Sequence, residues 1–203
     1  KTATGVAYGA TLTDVYTAPA KEGYTFKGWK DASGKAVTTV TGDITVYADY
    51  DVNEYTVNIT VNNGSATNAT QKLDYAGSID ATVNAALAAA GLKPATGYKD
   101  SYTVSTPSVA GTTIGVTVTY STLKTYTVTF KGQDGATLKT QTVEHGKAAT
   151  APSDPTVEGY TFKNWDKAFD KVTGNLTVTA VYEINKYTVT FKGQDGATLK
   201  TET

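Results

Sequence analysis

The chain has 203 residues, a formal net charge of −1, and neither cysteine, methionine nor arginine. These absences exclude disulfides and cysteine-based metal sites, and without arginine or excess positive charge we predict no nucleic-acid binding. No apolar run approaches the ~18 residues of a membrane span, so no membrane insertion is expected within this segment. Abundant Thr, Tyr and Val predict a mostly β, or α+β, protein.

Internal repeats are the strongest signal in the sequence. Three pairs of matching segments keep the same order along the chain: YTVTFKGQDGATLKT at 126–140 and 187–201, GYTFKGW and GYTFKNW at 23–29 and 159–165, and DITVYADYDVNEY and NLTVTAVYEINKY at 43–55 and 175–187. The identical first pair is offset by 61 residues. One complete repeat therefore extends from Tyr126 to Lys186.

This template divides the chain into four predicted segments. They are a repeat module lacking its first hairpin strand (1–54), a divergent ββαββ module (55–125), a complete repeat module (126–186), and the opening hairpin of a further repeat (187–203). Because Val6–Gly9 aligns with Val143–Gly146, the first repeat lacks about thirteen residues of the template. We therefore expect the chain to begin and end inside a module, as a window on a longer array.

In the first repeat, about four extra residues between Trp29 and Asp43 predict a longer surface loop. This loop, Asp31–Thr41, contains the Ser33–Gly34 turn signal.

The divergent module opens on an alternating strand that reaches a tight-turn signal at 62–64. One helix is predicted to start after Ser78, a suitable N-cap, and to end at Gly91. Its apolar stripe consists of Ile79, Val83, Leu87 and Ala90. Two strands near 101–105 and 113–120 complete a ββαββ order, with the helix across a small mixed sheet.

The complete repeat begins with an alternating strand, Tyr126–Lys131, whose Tyr, Val and Phe side chains share one face. Asp134–Gly135 predicts the hairpin turn, and Ala136–Glu144 is the partner strand. The connection Ala148–Pro155 is too short and proline-broken for a good helix.

Two more strands, Tyr160–Trp165 and Asn175–Tyr182, follow in this repeat. Trp165 has the wrong parity to share a strand face with Tyr160 and Phe162. We therefore predict that the strand ends or bends at Lys163–Asn164, which allows Trp165 to reach the core.

The complete repeat resembles the Listeria–Bacteroides repeat, also called the internalin-type B repeat. The most specific motifs are P-x-x-E-G-Y-T-F-x-x-W at Pro155–Trp165 and L-T-V-x-A-x-Y at Leu176–Tyr182. The resemblance covers 126–186 fully, 1–54 in the part present and 187–203 as a beginning, whereas 55–125 departs from it. It implies β-grasp, or ubiquitin-like, modules of secreted or wall-anchored bacterial proteins, which act as spacers or auxiliary adhesive elements.

The sequence offers little for catalysis. Its one histidine, His145, corresponds to Tyr8 of the first repeat and is interpreted as a surface or edge residue. A Ser-His-Asp triad would need this histidine, yet no serine lies in a nucleophile-elbow context. Asp134–Gly135 resembles part of a calcium loop but is more typical of a hairpin turn. We predict no enzyme activity and no catalytic, cofactor-binding or metal-binding residue.

Trp29 and Trp165 occupy equivalent positions and are interpreted as core anchors, because a domain of about sixty residues buries little else of that size. The alternative is that each is exposed and stacks on a sugar ring. Tyr50 and Tyr182 are interpreted as core or module-junction residues.

Three lysines bear on a covalent alternative. Bacterial surface modules with intramolecular Lys–Asn or Lys–Asp bonds need a buried lysine. Lys131, Lys139 and Lys192 lie in turns and at strand ends, so such a cross-link is not expected.

The predicted function is an extracellular structural stalk or spacer on the bacterial cell surface or cell wall, in contact with neighbouring repeats of the same protein. The alternative is an adhesive module that recognises a glycan or host protein through sheet edges or the Asp31–Thr41 loop. A further hypothesis is head-to-tail self-association, in which Tyr187–Thr203 completes the first repeat of a neighbouring chain.

Overall fold

Strands dominate the chain, as its composition predicts. The computed structural model describes residues 1–202, so Thr203, the last residue of the predicted opening hairpin, lies outside the described residues. Strands account for 46% of the residues and helices for 7%, which confirms the mostly β fold class. Contacts divide the chain into two units, described separately below: residues 1–95 with 100–121, and residues 96–99 with those from 122 onward.

The first repeat forms a three-stranded antiparallel sheet. Its elements are α1 (Leu12–Val15), β1 (Tyr24–Lys30), β2 (Ala36–Val37) and β3 (Tyr47–Val52), and the sheet order is β2-β1-β3. The single turn α1 places Leu12 in a buried position. The predicted loop Asp31–Thr41 is not an open excursion, because β2 pairs with the end of β1.

The segment that follows in the same unit contains a larger sheet and the longer helix. Its elements are β4 (Glu54–Asn62), β5 (Gly64–Ala66), β6 (Thr70–Asp74), α2 (Ile79–Ala89), β7 (Leu92–Pro94), β8 (Thr103–Val104), β9 (Ser108–Ala110) and β10 (Thr113–Thr119). The sheet order is β6-β4-β10-β8, with β9 also paired to β10. The first long strand β4 and the last strand β10 are parallel neighbours, joined over seven residue pairs.

Helix α2 starts and ends where the sequence predicts. The Ser78 hydroxyl accepts a hydrogen bond from the Ala81 N–H at 3.0 Å, which satisfies one of the free donors of the first turn. Gly91 follows the helix with φ +62°, a conformation that favours glycine. The buried face also includes Thr82 and Ala86, which the predicted apolar stripe omits.

The turn signal at 62–64 ends β4, but the strand that directly follows it does not pair back onto β4. The return strand β6 begins only at Thr70, and β5 pairs with β7 instead of β4. Gly64 lies under the Tyr120 ring and the Lys93 carbonyl, and an added Cβ would lie 2.6 Å and 2.5 Å from their nearest atoms. The glycine thus permits a close approach here and redirects the chain towards β7.

The complete repeat forms one four-stranded mixed sheet in the second unit. Its elements are β11 (Thr125–Lys131), β12 (Thr137–Glu144), β13 (Tyr160–Trp165) and β14 (Leu176–Ile184), in the order β12-β11-β14-β13. Strands β11 and β14 are parallel, and both outer pairs are antiparallel. No helix forms between β12 and β13, as the proline-broken connection predicts.

The predicted bend in β13 is confirmed as a β-bulge. The register with β14 shifts between Phe162, opposite Tyr182, and Asn164, opposite Val181. The extra residue reverses the parity, so the Phe162 and Trp165 rings meet edge to face at 5.3 Å. The first repeat has the same shift between Phe26 and Gly28.

The complete repeat has a hydrophobic core drawn from its own residues. Val128 and Phe130 of β11 are fully buried, and the Trp165 and Phe169 rings lie 5.0 Å and 5.2 Å from the Phe130 ring. The other buried members are Val143, Ala149, Val172 and Val178. The interpretation of Trp165 as a core anchor is confirmed.

The chain continues into a hairpin formed by β15 (Val189–Lys192) and β16 (Thr198–Glu202). We call it the tail hairpin. Both of its strands are exposed along their whole length.

Candidate functional site

The ring of Tyr75 covers a glycine at the end of the first repeat. Gly23 has φ +77°, and a Cβ there would lie 2.0 Å from Cδ1 of Tyr75. The Asn53 N–H donates to the Gly23 carbonyl at 2.8 Å, and the Tyr75 N–H donates to the Asn53 carbonyl at 2.9 Å. Tyr24 and Tyr55 flank the Tyr75 ring at centroid distances of 6.0 Å and 5.8 Å. Only glycine fits under this ring.

The same arrangement recurs at Gly97, in the second unit. This glycine has φ +92°, and a Cβ would lie 2.2 Å from Cδ2 of His145. The Lys124 N–H donates to the Gly97 carbonyl at 2.7 Å, and the His145 N–H donates to the Lys124 carbonyl at 2.8 Å. We call the two sets, Gly23–Asn53–Tyr75 and Gly97–Lys124–His145, glycine–aromatic junctions.

The covering rings occupy equivalent positions. Tyr75 directly follows β6 and His145 directly follows β12, and each of these is the second strand of its sheet's first hairpin. His145 is half-buried, and its Nδ1 lies 3.4 Å from the Tyr126 hydroxyl. The sequence placed this histidine at a strand edge, and the structure gives it a packing contact that the sequence analysis missed.

A third copy of the glycine position has no covering ring among the described residues. Gly159 has φ +78° and accepts a hydrogen bond from the Asn185 N–H at 2.8 Å, as in the two junctions. Within residues 1–202, no atom lies within 4 Å of its hypothetical Cβ. Tyr8, the counterpart of His145 in the first repeat, is 83% exposed.

The environment of Tyr75 keeps its phenol neutral. Burial raises the pKa of Tyr75, and the negative charge of Glu22 raises it further. The junction therefore contains an uncharged ring until strongly alkaline pH.

The first repeat also contains a groove with a volume of about 900 Å³ and a lining of both polar and apolar residues. We call it the open groove, and its apolar lining includes Leu12, Val15, Tyr16, Trp29, Ile44 and Val46. Trp29 Nε1 is buried without a hydrogen-bond partner in the described residues. Trp29 therefore lies in a core that is open on one side, unlike the closed core expected of a core anchor.

The complete repeat has no such opening, because β11 fills the equivalent space. There β11 pairs with β14 at Leu176, Thr177 and Val178. The corresponding residues of the first repeat, 44–46, lie in no strand. Ile44 is 45% exposed, whereas Val178 is fully buried.

The described residues contain no cluster of candidate metal-binding side chains. Within residues 1–202, no group of three or more histidine, aspartate or glutamate side chains is arranged to hold a metal ion. The Asp134 carboxylate accepts a hydrogen bond from the Ala136 N–H at 2.9 Å, which uses it as a turn residue. Among the described residues, the His145 ring contacts Gly97 and Tyr126 and no carboxylate.

The three lysines considered for a covalent bond are half-buried or exposed. Lys131 and Lys139 are half-buried, and Lys192 is exposed. The Lys139 Nζ donates to the Thr150 carbonyl at 2.6 Å, so its partner is a backbone oxygen.

The Asp31–Thr41 segment is held by one carboxylate. Asp31 Oδ1 accepts from the Ser33 N–H, the Ser33 hydroxyl and the Lys35 N–H at 2.9, 2.6 and 3.0 Å. The hydrogen bond from the Ser33 side chain is the main cause of the lowered pKa of Asp31. Residues 31–35, at the start of the segment, thus form an ordered turn.

Comparison with known proteins adds a family and two relatives. The model of the Listeria-Bacteroides repeat domain matches residues 1–49 and 126–184, just over half of the chain. A protein of Evansella cellulosilytica named "Putative membrane protein" is 29% identical over 205 residues, covering 92% of this chain and 30% of that protein. A "Putative Gly-rich membrane protein" of the same organism is 27% identical over 199 residues, covering 87% of this chain and 23% of the relative.

The chain thus spans less than a third of the length of these relatives. None of the helices within residues 1–202 has the length and apolar character needed to cross a membrane.

Proposed function

The chain belongs to the Listeria–Bacteroides repeat family, and from this premise we propose that it is a non-enzymatic structural stalk of a bacterial cell-surface protein. The recurrence of the glycine–aromatic junction carries this proposal. The membrane-protein names of the relatives support a place at the cell envelope. The stalk would be extracellular and would hold another part of the protein away from the cell.

The strand order supports a β-grasp assignment for the modules. In both four-stranded paths, the first strand and the last strand are parallel neighbours at the centre, and the second and third strands lie outside them. Helix α2 occupies the connection between the two hairpins in one sheet, whereas an extended segment replaces it in the other. The segments 1–54, 55–125, 126–186 and 187–203 are accordingly proposed as successive modules.

Short connections support limited freedom between these modules. Only Asn53 separates β3 from β4, so the last strand of the first repeat leads almost directly into the next module. The N–H of Asn53 is bound to the first repeat and its carbonyl to Tyr75. A connection that is fixed on both sides restricts bending more strongly than its length alone.

The covering ring adds a steric restraint to the backbone restraint. Tyr75 lies against Gly23 with no room for a Cβ, so tilting the module in that direction would push the ring into the backbone. Repeating this contact along an array gives a semi-rigid rod. Each module of about sixty residues would add roughly 30 Å of reach.

The test compares two glycines with the same backbone conformation. Gly23 and Gly159 have φ of +77° and +78°, but only Gly23 lies under a ring. The chain has no cysteine, so Lys35→Cys and Ala88→Cys provide two unique sites for spin labels on exposed side chains. Pulsed electron paramagnetic resonance then measures the distance distribution between the first repeat and helix α2.

We expect a narrow distribution for the doubly labelled parent and a broad one after Gly23→Ala. Gly159→Ala imposes the same backbone strain and should leave the distribution narrow. Equal broadening by both substitutions, or no broadening by Gly23→Ala, would refute a role of the ring in fixing the junction. A small-angle scattering profile of a compact globule would refute the stalk itself.

A further inference from the structure

Three tyrosine rings pack together inside the first unit. The Tyr75 ring lies 6.0 Å from the Tyr24 ring, at an interplanar angle of 79°, and 5.8 Å from the Tyr55 ring. Tyr55 and Tyr75 are 6% and 8% exposed, whereas Tyr24 is half-buried. The cluster therefore joins one ring that solvent reaches to two rings that are almost completely shielded.

A carboxylate lies beside the hydroxyl of the central ring. Glu22 interacts with the Tyr75 hydroxyl both as a negative charge and as a hydrogen-bond acceptor. A phenol that loses one electron becomes strongly acidic, and a base already in place receives its proton as the electron leaves. Tyr75 thus has its own proton acceptor for a one-electron oxidation.

The composition of the chain makes tyrosine a main target of such an oxidation. The chain has neither cysteine nor methionine, the two side chains on which oxidation usually falls, but it has 14 tyrosines. Within residues 1–202, Tyr75 alone contacts two other tyrosine rings, and the pair Tyr102–Tyr120 is the remaining tyrosine–tyrosine contact. A radical formed in this cluster therefore has a coupling partner at once.

The backbone holds the central ring beside Tyr24. The Tyr75 N–H donates to the Asn53 carbonyl, and the Asn53 N–H donates to the carbonyl of Gly23, the residue that the Tyr75 ring covers. An edge contact places the rim carbons of one ring against the other ring. Rotation of the half-buried Tyr24 side chain can then bring together two carbons that are ortho to the hydroxyls.

We propose that Tyr24 and Tyr75 form a dityrosine bond when a one-electron oxidant acts on the protein. Each phenol loses one electron to the oxidant and one proton, which passes from Tyr75 to Glu22 and from Tyr24 to solvent. The two radicals join through their ortho carbons, and each ortho hydrogen then moves through solvent to the oxygen, which restores both phenols. One hydrogen peroxide, acting through a peroxidase, accepts the two electrons and two protons and becomes two molecules of water.

This bond would make the first glycine–aromatic junction permanent. Tyr24 belongs to β1 and Tyr75 directly follows β6, so the bond connects the first repeat to the next sheet. The ring at Gly97 is His145, so the second junction cannot acquire the same bond through its covering ring. The stiffening of an array rests on the proposed stalk, whereas the formation of the bond does not.

Oxidation of the whole chain followed by peptide mapping tests the bond. Cleavage after lysine releases Tyr24 in 22–27 and Tyr75 in 73–99, and fragmentation distinguishes Tyr75 from Tyr98 in the second peptide. After brief illumination with tris(bipyridyl)ruthenium and persulfate, we expect the monomer fraction to contain these peptides joined, with two hydrogen atoms fewer than their sum. The same oxidation in denaturing urea should lose this pairing, because the fold alone brings the two rings together.

Two glutamates provide a matched pair of variants. Glu22 and Glu158 each precede a Gly-Tyr pair, and Glu22 is the one beside Tyr75. Glu22→Gln should slow bond formation at least about tenfold, less than a general base often contributes because water also accepts protons, and Glu158→Gln should leave the rate unchanged.

Four results would overturn the proposal. They are the absence of the joined peptides from the oxidised parent, a bond from Tyr75 to Tyr55 alone, an equal yield in urea, and an equal effect of the two glutamate variants. Circular dichroism verifies the fold of Glu22→Gln. None of these readouts depends on the shape of the chain, so a negative result here and a negative result for the stalk are distinguishable.

Discussion

Removing the same phenylalanine ring from two identical segments should affect the stability of the complete repeat in only one case. Phe130 is fully buried between Trp165 and Phe169, and its sequence counterpart Phe191 is half exposed on the tail hairpin. Truncating a buried phenylalanine to alanine costs about 3–5 kcal/mol, through lost burial and the cavity left behind. We therefore expect Phe130→Ala to destabilise the complete repeat strongly and Phe191→Ala to leave it unchanged.

Because the repeat is small, the cost of Phe130→Ala is large relative to its free energy of unfolding. At about 0.05–0.15 kcal/mol per residue, a module of about sixty residues has a free energy of unfolding of only ~3–9 kcal/mol. Phe130→Ala would therefore remove between about a third and all of this stability. Phe130→Leu removes three carbon atoms and should cost about 2 kcal/mol, from ~0.8 kcal/mol for each buried methylene.

Tryptophan fluorescence in a urea titration measures the loss of stability in the complete repeat itself. The chain has two tryptophans, so a Trp29→Phe background leaves Trp165, beside Phe130, as the single indole. Low micromolar protein keeps any association of the tail hairpin small. If Phe191→Ala shifted the Trp165 transition as far as Phe130→Ala, or Phe130→Ala cost less than about 1 kcal/mol, the assignment of this core would be wrong.

Three further predictions concern the first unit. Ser78→Ala removes the N-cap of α2 and should cost about 1 kcal/mol, measured as a lower thermal midpoint by circular dichroism; an unchanged midpoint would contradict the capping role. Thr82→Val removes a buried hydroxyl that donates to the Ser78 carbonyl and accepts from the Ala76 N–H, and it should cost about 1–3 kcal/mol and speed hydrogen exchange at Ala76. The pKa of Tyr75 is raised in the folded state, so its stabilising contribution is complete below its unfolded pKa of about 10 and is lost as the pH rises through the folded pKa. Stability measured by denaturant titration should therefore decrease above about pH 10 in the parent, and Tyr75→Phe should flatten that dependence.

The sequence predicts most of the fold because its signals are local. The parity of Trp165 against Phe162 requires a bend, and the structure has a bulge at that place. Ser78 and Gly91 delimit the helix through capping chemistry that depends on adjacent residues alone. The turn signal at 62–64 marks the end of β4, where Asn63 has φ +55°. It does not reveal that Gly64 is needed for close approach to Tyr120 and Lys93, which are distant in sequence.

The glycine–aromatic junctions are harder to predict from the sequence, although the sequence contains part of the pattern. A Gly-Tyr pair occurs at 23–24, 97–98 and 159–160, and the middle pair lies in the segment that departs from the repeat. Tyr75 and His145 differ chemically, so their equivalence appears only when the ends of β6 and β12 are known. Comparison of the Gly-Tyr pairs in all three segments would have indicated the glycine half of the contact.

Parallel pairing of the first and last strands has a mechanical consequence for these modules. Tension on the two ends of such a module pulls the adjacent strands in opposite directions along their length, so the hydrogen bonds between them are loaded in shear and must break together. The pairing spans four residue pairs between β11 and β14 and seven between β4 and β10. Under a steadily increasing force, the 126–186 repeat should therefore yield before the helix-containing module, which would make it the extensible element of the chain.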